Sequence, residues 1–448
     1  PQAKAARLAA LGASVQRVAC SSDGRVDLGA ALDSLGSLGL RSVMVEGGAQ
    51  VIQSILAARL VDYCIVTIAP ALLGGGKALE QPGRPRSEAP LTIVDCRYQA
   101  VGAGPAMKAR AIHHVAPRKV AIGHASLRPL AADEVLIRTL YSAISPGTES
   151  LVFEGRLPAG LPLDARIAGL GAGASYPFAY GYALVGEIVD AGAQVDRAWL
   201  QRRVFAFHPH QDYAVAPMRD VVAIPAEIEP LAALFLPNVE SAVGFVLDAE
   251  PRLDERVLVL GQGVVGLLTV ALLAEFPLEL LASADPIAHR RERSRALGAH
   301  CAIDSTDAAQ CAALRERLFA GRDDDGLDLA IELSGNVQAL NQAIELAGFD
   351  ARIVVASWYG SQPAAIDLGG HFHRRRLALV SSQVSRIAPR LSGRWNRRRR
   401  LDSAWRALGR IAPQRFVTHH FRFDDCQRAF ELVSARGDGV LQAVFEYR

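Results

Sequence analysis

Lysine is nearly missing from this sequence: Lys4, Lys77, Lys108 and Lys119 are the only four in 448 residues, and arginine carries the rest of the positive charge. An excess of either sign is missing too. The 49 basic and 46 acidic side chains leave a net charge of +3, which supplies no global field for nucleic acid or an anionic membrane surface. The six cysteines (Cys20, Cys64, Cys96, Cys301, Cys311 and Cys426) contain no CxxC spacing, which excludes a four-cysteine zinc knot and argues against a disulfide framework. No long apolar run is unbroken. Val257–Phe276 has nearly the length of a bilayer span, but Gly261, Gln262, Gly263 and Gly266 divide it into strand, turn and helix, so no membrane partner is expected. The start, Pro1-Gln2-Ala3-Lys4, has neither Met nor the apolar core of a signal peptide. A cytoplasmic protein is expected, with the chain cut from a longer polypeptide.

What is present is a globular composition, with 50% hydrophobic and 21% charged residues, enough for sizeable cores in roughly two to four domains. Over the first hundred residues helical and strand patterns alternate: Gln2–Leu11, Leu28–Leu38 and Val51–Ala58 read as helices, Val15–Cys20, Ser42–Val45 and Tyr63–Ala69 as strands. Glycine loops follow at Glu46-Gly47-Gly48 and Gly74-Gly75-Gly76. From about Met107 to residue 225 the pattern becomes β-rich, with strands at Lys108–His114, Glu134–Tyr141 and Leu184–Val189. After Leu231 alternation returns. Arg256–Leu260, Glu279–Ala284, Cys301–Ile303, Leu327–Leu333 and Ile353–Ala356 read as strands, and Val264–Glu275, 287–297 and 337–347 as helices. These strands are continuous apolar runs, as expected for a parallel sheet covered on both faces.

The sharpest motif is Gly261-Gln262-Gly263-Val264-Val265-Gly266, placed between the strand at Val257–Leu260 and a helix, with Asp285 ending the next strand. That context makes it a dinucleotide cradle. Gly261 suits the tight turn, Gly263 the approach of a pyrophosphate, and Gly266 close helix–strand packing, while the helix N-terminus offers N–H groups and a favourable dipole to phosphate. Asp285 would accept from the ribose hydroxyls, which favours NAD(H), although His289, Arg290 and Arg291 stand ready for the 2′-phosphate of NADP(H).

Beyond that cradle, Ser142-Ala143-Ile144-Ser145-Pro146-Gly147-Thr148-Glu149, Tyr180–Glu187, Ile331–Asn336 and Arg352–Gly360 follow in an order that resembles the medium-chain dehydrogenase/reductase superfamily over about 108–448. The resemblance implies a GroES-like β-rich catalytic domain (106–235), a Rossmann doubly wound parallel sheet (236–375) and a segment (376–448) that adds the last Rossmann strand and returns to the catalytic domain. It also implies a small-molecule alcohol/carbonyl substrate and a homodimer. Where that superfamily holds its catalytic zinc by Cys, His and Glu, this sequence has Ser145, Tyr182 and Ala183, so no zinc is expected. Hydride transfer then needs another proton partner. The candidates are Tyr182, His208, His210, Ser145 and Glu149; histidine titrates nearest neutrality, whereas a tyrosine, with a pKa of about 10, is first a donor. By the same resemblance Ser241, Ser334, Gly335 and Ser357 surround the nicotinamide, while the glycine motif brings Val264 and Val265, and the 2′-phosphate reading Arg290, to the cofactor site.

Two basic clusters stand apart. His371–Arg376, just before an apolar strand at Leu377–Val380, is expected near the cleft, where it would suit an anionic substrate. Arg397–Arg400 is expected to be a solvated helix face.

Residues 1–105, through Val43–Ala49, Leu60-Val61-Asp62 and Ile68–Gly76, resemble the C-terminal half of the riboflavin-biosynthesis reductase, a partial dihydrofolate-reductase-like α/β domain. That resemblance gives Glu46, Gly47 and Gly48 to an NADPH contact. Its covalent link suggests a flat pterin- or flavin-pathway heterocycle as substrate. The contrasting expectation is a nucleotide-binding scaffold that has lost catalysis.

Overall fold

Two units divide the chain, Pro1–Tyr98 and Gln99–Arg448. The structure, a computed structural model, describes residues 108–157, 175–320 and 325–448 except 362, 364, 438 and 448, together with 18–20, 26–39, 55 and 60. In the first unit Asp27 caps a helix at Leu28–Ser37 by accepting from the Ala30 N–H, 3.0 Å away. Of the other elements expected there only Cys20, which bridges Val26, and the helical Ile55 are seen; the rest, with Glu46, Gly47 and Gly48, lies outside the described residues.

In the second unit β1 (Lys108–Ala116), β2 (Lys119–Ser126), β3 (Glu134–Ile144), β4 (Phe178–Ala179), β5 (Leu184–Ala191), β6 (Arg203–Ala206), β7 (Tyr213–Pro217) and β8 (Val221–Ala223) make the β-rich half. β3, eleven residues long, pairs antiparallel with both β5 and β7. The second half is parallel. β9 (Arg256–Leu260), β10 (Leu280–Ala284), β11 (Cys301–Ile303), β12 (Leu327–Glu332), β13 (Ala347–Val355) and β14 (Ala378–Ser381) order as β11-β10-β9-β12-β13-β14. β9 and β10 are buried at every residue, as their unbroken apolar sequences require with helices on both faces. Strand order reverses between β9 and β12, and ligands of such sheets bind beyond the carboxyl ends at that point.

The chain then recrosses. β15 (Val417–Arg422) and β16 (Gln442–Glu446) leave the parallel sheet, and β16 pairs antiparallel with β3. The largest core joins the two halves: Val185 and Phe205 pack with Leu236, Val239, Leu267 and Leu408. That shared core holds the β-rich wall against the carboxyl end of the parallel sheet. Among the described residues no helix is long and apolar enough to cross a membrane.

Candidate active site

β9 ends at Leu260 and the chain turns at Gly261, whose φ of +90° favours glycine; a Cβ there would lie 2.6 Å from the Ser334 N. At Gly266 a Cβ would lie 1.9 Å from the Gly261 carbonyl oxygen, so helix Val264–Leu273 can approach the turn only without a side chain. No side chain caps that helix, and a Cβ on Gly263 would meet nothing within 4 Å. The open space is where a phosphate can meet backbone N–H groups, so the cradle fits a dinucleotide. It forms one end of a cleft of about 1250 Å³ that also holds Val264, Val265, Asp285, Arg290, Ser305 and Thr306.

Asp285 is buried. Its Oδ2 accepts from the Gln262 N–H (2.7 Å) and its Oδ1 from the Ile287 N–H (2.9 Å), which fixes the carboxylate at the end of β10. The neighbouring guanidinium groups are committed to the protein. Arg291 donates to the carbonyls of Asp285 and Pro286 and pairs with Asp304, and Arg290 donates to the Val440 carbonyl.

At the other carboxyl end β12 finishes in Glu332, wholly buried. Its Oε1 accepts from the N–H groups of Ser334 (2.6 Å) and Gly335 (3.0 Å), and its Oε2 from the Tyr359 hydroxyl (2.7 Å). Burial, then the Glu332 charge, push the Tyr359 hydroxyl far up, so it stays a donor. Ser357 Oγ accepts from the Gly335 N–H at 2.9 Å and donates to the Glu332 carbonyl. Ser334, Gly335, Ser357 and Tyr359 thus form one knot in the cleft wall. Glu332 and Tyr359 organise it and were not singled out from the sequence; a carboxylate ending an apolar strand was the available signal. Ser241, also in the wall, donates to the Pro237 carbonyl at 2.8 Å.

The five proton-partner candidates separate. Ser145, Tyr182 and His208 line the cleft. Glu149 and His210 lie wholly buried outside its lining and bond each other, His210 Nε2 to Glu149 Oε2 at 2.8 Å. Glu149 Oε1 accepts from the Ser145 N–H (2.9 Å); His210 Nδ1 meets Ser142 Oγ (2.7 Å), which meets the Tyr447 hydroxyl (2.8 Å). The chain of bonds ties the Ser145 loop to the segment after β16. His208 differs. Its Nδ1 lies 3.0 Å from the Pro209 carbonyl, an acceptor only, so Nδ1 carries the proton and Nε2 keeps a lone pair. Burial holds its pKa below the ordinary histidine value, with the Pro209 bond opposing and His210 assisting.

The basic clusters exchange roles. None of His371–Arg376 lines the cleft; Arg375 pairs with Asp325 and Arg376 with Asp350. Arg397 and Arg400 do line it, and Arg400 is only 3% exposed, in a buried pair with Glu240. The solvated face expected for Arg397–Arg400 holds for Arg397, Arg398 and Arg399, which are exposed, and is corrected at Arg400, which is drawn to a carboxylate on helix Leu236–Ala249 at the cleft wall.

A catalytic zinc does not fit these residues. Hydroxyls and an alanine stand at the three ligand positions, and Glu149 and His210 are spent on each other. Among the described residues no group of three or more His, Cys, Asp or Glu is arranged to hold a metal ion.

Residues 1–104 match the family described as RibD C-terminal domain, and residues 264–396 the family described as zinc-binding dehydrogenase. A D-guloside 3-dehydrogenase of Escherichia coli K12 is 24% identical over 311 residues, covering 65% of this chain and 86% of that protein. An L-threonine 3-dehydrogenase of Bacillus subtilis 168 is 23% identical over 228 residues, 50% of this chain and 60% of its own. Among solved structures, an alcohol dehydrogenase of E. coli CFT073 in complex with NADH superposes with a TM-score of 0.61 at 20% identity, over 76% of this chain and 99% of that one. A Sinorhizobium meliloti 1021 structure bound to NADP gives 0.61 at 17%, over 76% and 100%. These likenesses establish a shared fold.

Proposed function

We propose that the chain joins a RibD C-terminal-like domain to a medium-chain dehydrogenase/reductase-like part, and that this second part interconverts a secondary alcohol and its ketone with NAD(H), without a metal. The observation that carries the reading is the single cleft that runs from the Gly261–Gly266 cradle to Ser145, Tyr182 and His208. A nicotinamide dinucleotide held by the Gly261–Gly266 cradle and Asp285 would supply the hydride acceptor for the alcohol and the hydride donor for the ketone. The chain's own residues manage the proton. His208, neutral at pH 7 with a lone pair on Nε2, takes the proton from the substrate hydroxyl as the C–H bond gives up its electron pair. The Tyr182 hydroxyl donates to the oxygen as it becomes a carbonyl. Ser145 is held by Glu149 through its backbone, which fixes the loop facing that oxygen.

The test is NAD-dependent turnover by the full chain after exhaustive treatment with EDTA and 1,10-phenanthroline. Activity is expected to survive unchanged; loss that zinc restores would overturn the metal-free reading. The covalent link to a RibD C-terminal domain is the reason to include pterins and ribityl-pyrimidines in the substrate panel.

NAD(H) is favoured over NADP(H) because the fixed Asp285 carboxylate repels a 2′-phosphate while Arg290 and Arg291 are already committed. Fluorescence titration is expected to show tighter NADH than NADPH binding. Asp285→Asn should shrink that preference by about tenfold or more, the worth of one close charge interaction. Equal affinities in the wild type would count against the assignment.

A further inference from the structure

We infer that the substrate carries an anionic group, a carboxylate or a phosphate monoester, and that Arg397 recognises it; the inference rests on the oxidoreductase reading above. Arg397 opens the helix Arg397–Ile411, and its guanidinium lies over the Phe207 ring, with Cζ 5.5 Å from the centroid. Phe207 precedes His208, and all three residues line the cleft. Tyr182, Phe207 and Leu401 pack against one core, so the arginine shares a wall with the residues assigned to the reacting oxygen.

The helix is pinned there. Arg400 donates from Nε and Nη2 to Glu240 Oε1 at 3.0 and 2.6 Å, which ties it to the helix that carries Ser241. That pair neutralises itself. Arg156 pairs with Glu154 at 2.9 Å, and Arg290 donates to the Val440 carbonyl. Arg397 and Arg436, both exposed, form no ion pair among the described residues; of the two, Arg397 lies over Phe207, next in sequence to His208, and the first turn of its helix carries no acid. Asp220, exposed elsewhere in the lining, forms no ion pair with it. A guanidinium stacked on an aromatic ring keeps its planar fork of donors for a ligand, and that fork matches the two oxygens of a carboxylate or phosphate. The uncompensated cation on the cleft that also holds the proton acceptor selects alcohols that bring the missing charge.

The experiment uses the full chain loaded with NADH, so that added alcohols bind without reacting. Calorimetric titration compares two matched pairs: 3-hydroxybutyrate against 2-butanol, and 1,2-propanediol 1-phosphate against 1,2-propanediol. In at least one pair the anion is expected to bind about 10- to 100-fold more tightly, the range of a charge-assisted contact. The pair with the larger ratio identifies carboxylate or phosphate. Arg397→Ala should collapse the ratio, Arg397→Lys keep part of it, and Arg398→Ala, outside the cleft lining, keep all of it. Ratios within about threefold of one in both pairs, absent binding by every probe, or a preference that survives Arg397→Ala would each overturn the inference. Failure to load NADH at all sinks the oxidoreductase reading instead and is visible before any alcohol is added.

Discussion

Replacing His208 by glutamine is expected to lower kcat for alcohol oxidation by about 10²- to 10⁴-fold, the usual contribution of a positioned general base, while NADH still binds. Glutamine keeps a polar side chain on the wall but has no nitrogen that accepts a proton. The pH profile separates this from a packing effect. Burial holds His208 below its ordinary value of 6.5, so the wild-type kcat/KM should be flat through neutrality and fall only in acid. The variant should lose that acid limb. A loss under about tenfold with the limb unchanged would move the proton to another group, and Tyr182→Phe would then be the informative variant.

His114 is expected to add to the acid sensitivity of the fold. It sits on β1, stacked on Phe178 at 5.3 Å and edge-on to Phe430 at 5.3 Å, fully buried. Neither ring nitrogen has a partner among the described residues. Burial, then the charges of His210 and His113, lower its pKa from 6.5 to about 3. The unfolded chain therefore binds a proton between those values that the folded chain refuses. Stability is whole above pH 6.5 and is lost progressively as pH falls toward 3. The loss from this residue amounts to about 2 kcal/mol by pH 5 and roughly 3–5 kcal/mol at the acid limit. His114→Phe keeps an aromatic ring between Phe178 and Phe430 and removes the titration. Urea unfolding at pH 7.5 and 5.0 checks it: the wild type should lose about 2 kcal/mol more than the variant over that interval. Equal losses would mean that the unfavourable protonation lies elsewhere.

Local patterns were legible because one sheet is buried on both faces. Arg256–Leu260 and Cys301–Ile303 fall on the expected residues, and helix 264–275 is shorter by two at its end. The apolar pattern marks β13 only at Ile353–Ala356, yet the strand begins at Ala347, because its first residues, Ala347-Gly348-Phe349-Asp350, lack the apolar run that marks the others. The cradle was legible for the same local reason: turn, glycine spacing and Asp285 lie within one strand–helix–strand unit. The proposed substrate end was not. It joins loops from β3, β5 and β6 with a helix beginning at Arg397, and nothing in a run of four arginines marks which one meets Glu240. Glu149 and His210 carried the residue types of proton partners, yet each satisfies the other away from the cleft, a relation set by packing across 61 positions.

The recrossing of β16 has a consequence for synthesis. Gln442 Nε2 donates to the Ile144 carbonyl across 298 positions, and Ala443–Glu446 occupy the place between β15 and β3. On the ribosome, the Tyr141–Ile144 end of β3, beyond the stretch that β7 covers, must therefore wait with one edge open while the whole parallel half emerges and folds. An edge exposed for that long invites pairing with another nascent chain. Such remote pairing also slows maturation.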